Sequence, residues 1–210
     1  MLLVGRDRSP FVRRTATVME FLGLRFERLP LATADAGELG KYNPLGRVPA
    51  LVLDRGEILI DSAAIIDYVL EVGDPAQRLL PASGELRRRV LRTSAMATGI
   101  MEKGVAAAYE LRQRPGELIH EPWLKHLKGQ VRAGLADLER AADGKRWLHG
   151  PEPGLADINA VVAFDFIGNA HPDLSPAGWS ALAALSERAN ALPEFRKTRW
   201  QVQSLEKTGS

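Results

Sequence analysis

Asn43-Pro44-Leu45-Gly46-Arg47-Val48-Pro49 runs directly into Ala50-Leu51-Val52-Leu53, which sets two prolines and a glycine at the mouth of a strand. Pro49 has no N–H for a sheet ladder, so its place at a strand entrance is unusual. A cis Val48–Pro49 bond would present the backbone N–H and C=O of Val48 to a ligand lying antiparallel to them. Cis bonds occupy only about 5–6% of X-Pro positions and proline-rich loops are usually plain turns, so both readings stay open. Downstream, Asp54-Arg55-Gly56 separates Ala50–Leu53 from Glu57–Ile60, and the pair reads as an antiparallel hairpin. Ser62 then precedes Ala63–Val72, whose Ile65, Ile66, Val69 and Leu70 form an apolar face before Gly73. Upstream, Leu2-Leu3-Val4 is a short strand ended by Gly5. Pro10 starts a helix carrying Val12, Ala16, Met19 and Phe21-Leu22, Phe26–Leu29 is a second strand, and Thr33–Lys41 is weakly helical. The order is β-α-β-α-β-β-α.

The rest of the chain reads as helices only. The change divides it into an α/β domain over residues 1–78, a linker over 79–84 and an all-helical domain over 85–210. Leu86, Val90, Ala97, Met101, Val105 and Tyr109 recur on roughly one helical face up to Arg114-Pro115. A second helix, about 117–142, turns Leu124, Leu127, Val131, Leu135 and Leu138 inward and Lys125, Lys128, Arg132, Glu139 and Arg140 outward, as an antiparallel partner of the first. Leu155–Ile167 is apolar on most sides and belongs at the centre, with 176–191 and the stretch after Pro193 packed around it.

A chain of 210 residues, 45% of them hydrophobic, can bury a large core and is no disordered tail. Twenty-eight basic against 26 acidic side chains leave a formal charge of +2, which creates no strong field for nucleic acid or an anionic membrane. No run approaches the roughly 20 apolar residues that cross a bilayer, and Met1–Asp7 lacks a signal-peptide pattern, so the expected setting is cytoplasmic. Cysteine is absent, which excludes disulfides, zinc-thiolate and iron–sulfur sites and a nucleophile of the protein's own sulfur. Any thiol chemistry must bring its sulfur with a ligand. His120, His126, His149 and His171 match no metal spacing and read as surface or loop residues. Trp123, Trp147, Trp179 and Trp200 read as packing residues, and Arg87, Arg88, Arg89 and Arg92 as a solvated or dimer-facing surface.

Two further segments carry chemistry. Ser9-Pro10-Phe11-Val12-Arg13-Arg14 places a hydroxyl beside the unpaired N–H groups of a helix start, where an anion is favoured; the plainer role is an N-cap. Asp61-Ser62 sits at another helix start, where Ser62 can hold a carboxylate and Asp61 an ammonium, as at the end of an amino acid or γ-glutamyl peptide. An N-cap is again the plainer role.

Together with Gly154-Leu155-Ala156-Asp157-Ile158, these segments resemble the cytosolic glutathione S-transferases, of the bacterial kind with a serine-type site, over nearly the whole chain. The resemblance implies a thioredoxin-like first domain, an all-helical second domain and glutathione as co-substrate, with no metal. Asp61 and Ser62 would hold the γ-glutamyl end, Val48 ahead of Pro49 would pair with the cysteinyl amide, and Arg47 or Lys41 would approach the glycyl carboxylate. Ser9 would donate to the sulfur as the catalytic residue, beside Phe11. Met101, Val105 and Tyr109 are candidates for the wall of an electrophile pocket, although helix packing also explains them. The resemblance further implies a homodimer that pairs the first domain of one chain with the second of the other. Isomerase or dehalogenase activity on the same fold, and a non-catalytic glutathione-binding module, are the alternatives. Gly154 stands where the family usually has a Ser or Thr cap, a difference of a few tenths of a kcal/mol. Gly154→Ser should therefore raise the melting temperature slightly; a clear fall in a thermal melt would refute this helix start.

Overall fold

The computed structural model describes residues 1–174 and 178–200. Its first half runs β1 (Leu2–Val4), α1 (Pro10–Phe21), β2 (Glu27–Leu29), α2 (Ala36–Leu39), β3 (Ala50–Val52), β4 (Ile58–Ile60) and α3 (Ser62–Gly73). The second runs α4 (Gly84–Gln113), a 3₁₀ turn (Gly116–Leu118), α5 (Glu121–Ala142), α6 (Leu155–Ala170), a 3₁₀ turn (Pro172–Leu174), α7 (Ser180–Asn190) and α8 (Pro193–Lys197). The β-α-β-α-β-β-α order and the all-helical remainder follow the sequence reading. The expected helix over 176–191 is seen from Ser180; residues 175–177 lie outside the described residues, as do 201–210.

The sheet order is β2-β1-β3-β4, with β1 parallel to β2 and antiparallel to β3, and β3 antiparallel to β4. Alternation buries Leu3 and Leu51 under α1 and α3, where they meet Val12, Ala16, Met19, Ile65 and Val69. The same apolar cluster continues into the helical half through Ala97, Met101, Ile158 and Val162, so the two halves share one core. Each such Leu, Val, Ile or Met contributes about 1.5–3 kcal/mol when fully buried. Every residue from Leu155 to Phe164 is buried, which places α6 at the centre as its all-round apolar character requires.

Close approach of α4 to α6 depends on Gly104: a Cβ there would lie 2.4 Å from Ile167 Cδ1 and 3.0 Å from Phe166 Cε1. At the start of α6, buried Asp157 accepts from the Gly154 N–H at 2.9 Å and the Leu148 N–H at 2.8 Å, which is the half of a capping box that a glycine permits. A β-carbon at Gly154 would meet the Leu79 carbonyl oxygen at 3.2 Å, and this contact offsets part of what a serine cap would add.

Several expectations are corrected. The helix expected from about residue 117 begins at Glu121, because Pro122 is accommodated only in a first turn, and Gly116–Leu118 forms a separate 3₁₀ turn. The supposed single face of α4 drifts: steps of four and seven residues from Leu86 to Tyr109 accumulate about 140° of rotation at 100° per residue. Met101 is accordingly in the core, half-buried Val105 is intermediate, and Tyr109 is 43% exposed. Trp123 is not a packing residue; it is 46% exposed and stacks on His126 with ring centroids 5.3 Å apart. His171 is not on the surface. It is buried at the end of α6, with Nε2 2.8 Å from the Gly104 carbonyl oxygen of α4 and Nδ1 without a partner among the described residues.

Burial is the main cause holding the His171 imidazole below its usual pKa, since protonation would add an N–H at Nδ1 with no acceptor. The unfolded chain takes up this proton from about pH 6.5 downward while the folded chain resists, so the unfolded state binds more protons in that window and stability falls as pH falls. His149, lowered by burial and then by Lys145 and Arg89, acts with the same sign. His171→Gln keeps a donor for Gly104. It should lose less of its melting temperature than the parent between pH 7 and about pH 5.5 in parallel thermal melts.

Candidate active site

The register pairs Val4 with Ala50 and Ala50 with Ile60, at one end of the sheet. The chain leaves β1 at Val4 toward α1, enters β3 at Ala50 from the proline loop, and leaves β4 at Ile60 toward α3. All three segments singled out in the sequence therefore meet at that end. Gly5 makes the meeting close: with φ +130°, it lies where a Cβ would come within 2.5 Å of Val12 Cγ2 and 2.9 Å of Val48 Cβ. The sequence reading took Gly5 only as a strand terminator; a glycine directly after a strand was the available signal of this close backbone approach.

Ser9 is the N-cap of α1, with extended backbone at φ −73° and ψ 124°. Its hydroxyl makes no capping bond, so the helix start keeps free N–H groups, and among the described residues the hydroxyl is uncommitted. Its carbonyl accepts from the Arg13 N–H at 3.0 Å, and its N–H donates to the Arg6 carbonyl at 2.9 Å. Phe11 is half-buried against the core.

The Val48–Pro49 bond is cis, and among the described residues neither the N–H nor the C=O of Val48 has a partner. Asn43, buried, braces the loop by donating to the Arg47 carbonyl at 2.9 Å and accepting from the Leu45 N–H at 3.0 Å. Arg47 is exposed. Lys41 is exposed too and lies 2.8 Å from both carboxylate oxygens of Glu38, so of the two cations suggested for the glycyl carboxylate Lys41 already has a partner.

At α3 the cap is Asp61 rather than Ser62. Asp61 has φ 68° and accepts from the Ala63 N–H at 2.8 Å, while Ser62 is the first helical residue and is buried. Among the described residues the second oxygen of the Asp61 carboxylate is uncommitted.

Arg14, quoted in the sequence only as part of a motif, is buried behind these segments. Its Nη1 donates to Thr98 Oγ1 at 2.5 Å and to Asn159 Oδ1 at 3.5 Å. Burial pulls its pKa down to about 10, opposed by the nearby carboxylates of Asp61 and Glu102. It remains a cation at neutral pH and brings positive charge to the Asp61 end of the site. No local periodicity marks it, because its partners come from α4 and α6.

Two cavities of about 730 and 760 Å³ lie elsewhere. One is a groove between α4 and α5 with Met96, Ile100 and Ala133 on its floor and Arg92, Lys103 and Arg140 around it; the other joins the far end of α1, the linker and the start of α6. Neither includes Ser9, Val105 or Tyr109.

The description "Glutathione S-transferase, N-terminal domain" matches residues 8–72, and "Glutathione S-transferase, C-terminal domain" matches 121–188. The chain is 34% identical to the maleylacetoacetate isomerase of Pseudomonas aeruginosa over 211 aligned residues, 94% of each chain. A glutathione transferase family member from Pseudomonas fluorescens, solved with bound glutathione, superposes with a TM-score of 0.85 at 32% identity, over 96% of this chain and 99% of that one. A glutathione S-transferase from Methylobacterium radiotolerans in complex with glutathione sulfonate superposes with a TM-score of 0.89 at 26% identity, over 100% and 99%.

The two caps should respond differently to truncation. Ser9→Ala removes no capping bond and should leave urea stability within about 0.5 kcal/mol, whereas Asp61→Ala loses one and should cost about 1 kcal/mol. Equal losses would contradict the uncommitted state of the Ser9 hydroxyl.

Proposed function

Because the chain belongs to the glutathione S-transferase family, we propose that it binds reduced glutathione across the sheet end where Val4, Ala50 and Ile60 align and activates the thiol with Ser9. The observation that carries this reading is the uncommitted Ser9 hydroxyl at an uncapped helix start. A thiol of pKa about 8.5 is mostly protonated at pH 7, and lowering it by one to two units requires about 1.4–2.7 kcal/mol. A hydrogen bond to a charged acceptor contributes about 1.5–3 kcal/mol and a helix start about 0.3–1 kcal/mol, so one hydroxyl at α1 suffices. The proton leaves to solvent.

The remaining groups suit the tripeptide. Asp61 keeps one carboxylate oxygen for the γ-glutamyl ammonium, Ser62 and the α3 N-terminus suit its carboxylate, and the Val48 N–H and C=O beside Pro49 suit the cysteinyl amide. Arg47 serves the glycyl carboxylate in preference to Lys41, which Glu38 engages. Phe11, two residues after Ser9, is half-buried against the core. The thiolate then attacks an apolar electrophile held by the helical half, with Val105 and Tyr109 remaining as candidates and Met101 excluded by its burial. A homodimer suits the surface: Leu45 on the proline loop is 70% exposed, and the α4–α5 groove offers an apolar floor.

A second reading rests on the 34% identity to a maleylacetoacetate isomerase. Here the thiolate adds to a cis-enone, the former double bond rotates, and elimination releases the trans isomer with glutathione regenerated. Conjugation consumes one glutathione per electrophile and isomerisation consumes none, so free thiol measured during turnover separates them. Retention on immobilised glutathione without turnover of either substrate would leave a binding module.

Ser9→Ala should move the midpoint of thiolate absorbance for bound glutathione upward by about one unit or more and lower kcat/KM at least about tenfold, with little change in KM for glutathione. An unchanged titration would transfer the role to a backbone amide or a neighbouring side chain.

A further inference from the structure

The helix that begins at Ser9 is gripped by the helical domain along one face. Arg13, Thr17 and Glu20 follow one another at i, i+4 and i+7. Lys197 donates to Glu20 Oε2 at 2.9 Å, and the hydroxyls of Thr17 and Thr198 lie 2.8 Å apart in the interior. Nearest the site, the Arg13 side chain is 7% exposed; its Nη1 donates to Asp165 Oδ2 of α6 at 2.7 Å and its Nη2 to Asn190 Oδ1 of α7 at 2.9 Å. The acceptors are themselves braced. Ser186 Oγ donates to Asp165 Oδ1 at 2.5 Å, and Asn190 Nδ2 donates to Asp165 Oδ2 at 3.0 Å and to the Ser186 carbonyl at 2.9 Å.

We infer that Arg13 is a positioning residue for Ser9: the Asp165–Ser186–Asn190 clamp fixes the rotation of α1 about its axis and so the aim of the Ser9 hydroxyl. The inference rests on the glutathione reading above. Two features of the clamp support it. The Arg13 N–H closes the first turn on the Ser9 carbonyl, so the clamped residue and the hydroxyl belong to one rigid turn. A planar guanidinium held on two acceptors from two helices also resists rotation, which neither an apolar contact nor a single ammonium bond can do. A buried ion pair is a poor source of net stability compared with apolar packing; what this one supplies is direction. The helical half, which otherwise serves the electrophile, thereby sets the acidity of the thiol bound on the other half.

Arg13→Lys keeps the charge beside Asp165 and loses the bond to Asn190; Asn190→Ala breaks the clamp without removing a charge. Each should raise the thiolate midpoint of bound glutathione by about half a unit and lower kcat about tenfold, with KM for glutathione held within about twofold. Lys197→Ala, at the far end of α1, should change neither. Melting temperature recorded on all four proteins separates aim from stability. A lower melting temperature with an unshifted titration and unchanged kcat, in the variants of Arg13 and Asn190 alike, overturns the inference. If the parent protein binds glutathione but shows no thiolate absorbance at any pH, or binds none, the underlying functional reading falls, and the positioning role with it.

Discussion

The pairing of Val4 with Ala50 and of Ala50 with Ile60 is the constraint on which the site depends. Side chains alternate faces along a strand, so a slip of one residue would turn Leu3 and Leu51 out of the core and carry the proline loop away from Ser9. The core that α1 and α3 form with the sheet therefore enforces the geometry of this sheet end: burying these leucines under Val12, Ile65 and Val69 is the same event as aligning the three loops. Gly5 completes it by admitting Val48 against the start of α1.

The two halves are joined in two physical ways. The apolar cluster through Met19, Met101, Ile158 and Val162 supplies cohesion without direction. The polar bonds of Arg13 and Arg14 to α4, α6 and α7 supply direction. A helix carrying both kinds of contact on different faces has little freedom to turn, and the one that begins at Ser9 is held in this way. The sheet end and the helical half are coupled mechanically through it.

Much of this was legible in the residues. Strands, turns and caps depend on neighbours a few positions apart, so Pro10, Asp54-Arg55-Gly56 and the all-round apolar Leu155–Ile167 announced their elements, and the three chemical segments were recognisable before their meeting could be seen. The errors came where a local rule met distant packing. Helical spacing put Met101, Val105 and Tyr109 on one stripe, but each step of four residues in α4 gains about 40°, which rotates Tyr109 about 80° away from Met101. His171 and Trp123 exchanged their expected places, one buried and one exposed, since a single aromatic or imidazole carries no periodic signal of its own.

Local chemistry thus settled the order of elements, the absence of any protein thiol, and the placing of Ser9, Val48 and Asp61 at the ends of elements, because each follows from backbone propensities and residue inventory within a short window. Which of those ends come together, whether Ser9 spends its hydroxyl on its own helix, and that Arg13 and Arg14 reach into α4, α6 and α7 are matters of register and burial among groups up to 177 positions apart. Contacts at such separations are selected by the packing of the whole core, and no stretch of chain contains the information to choose them alone.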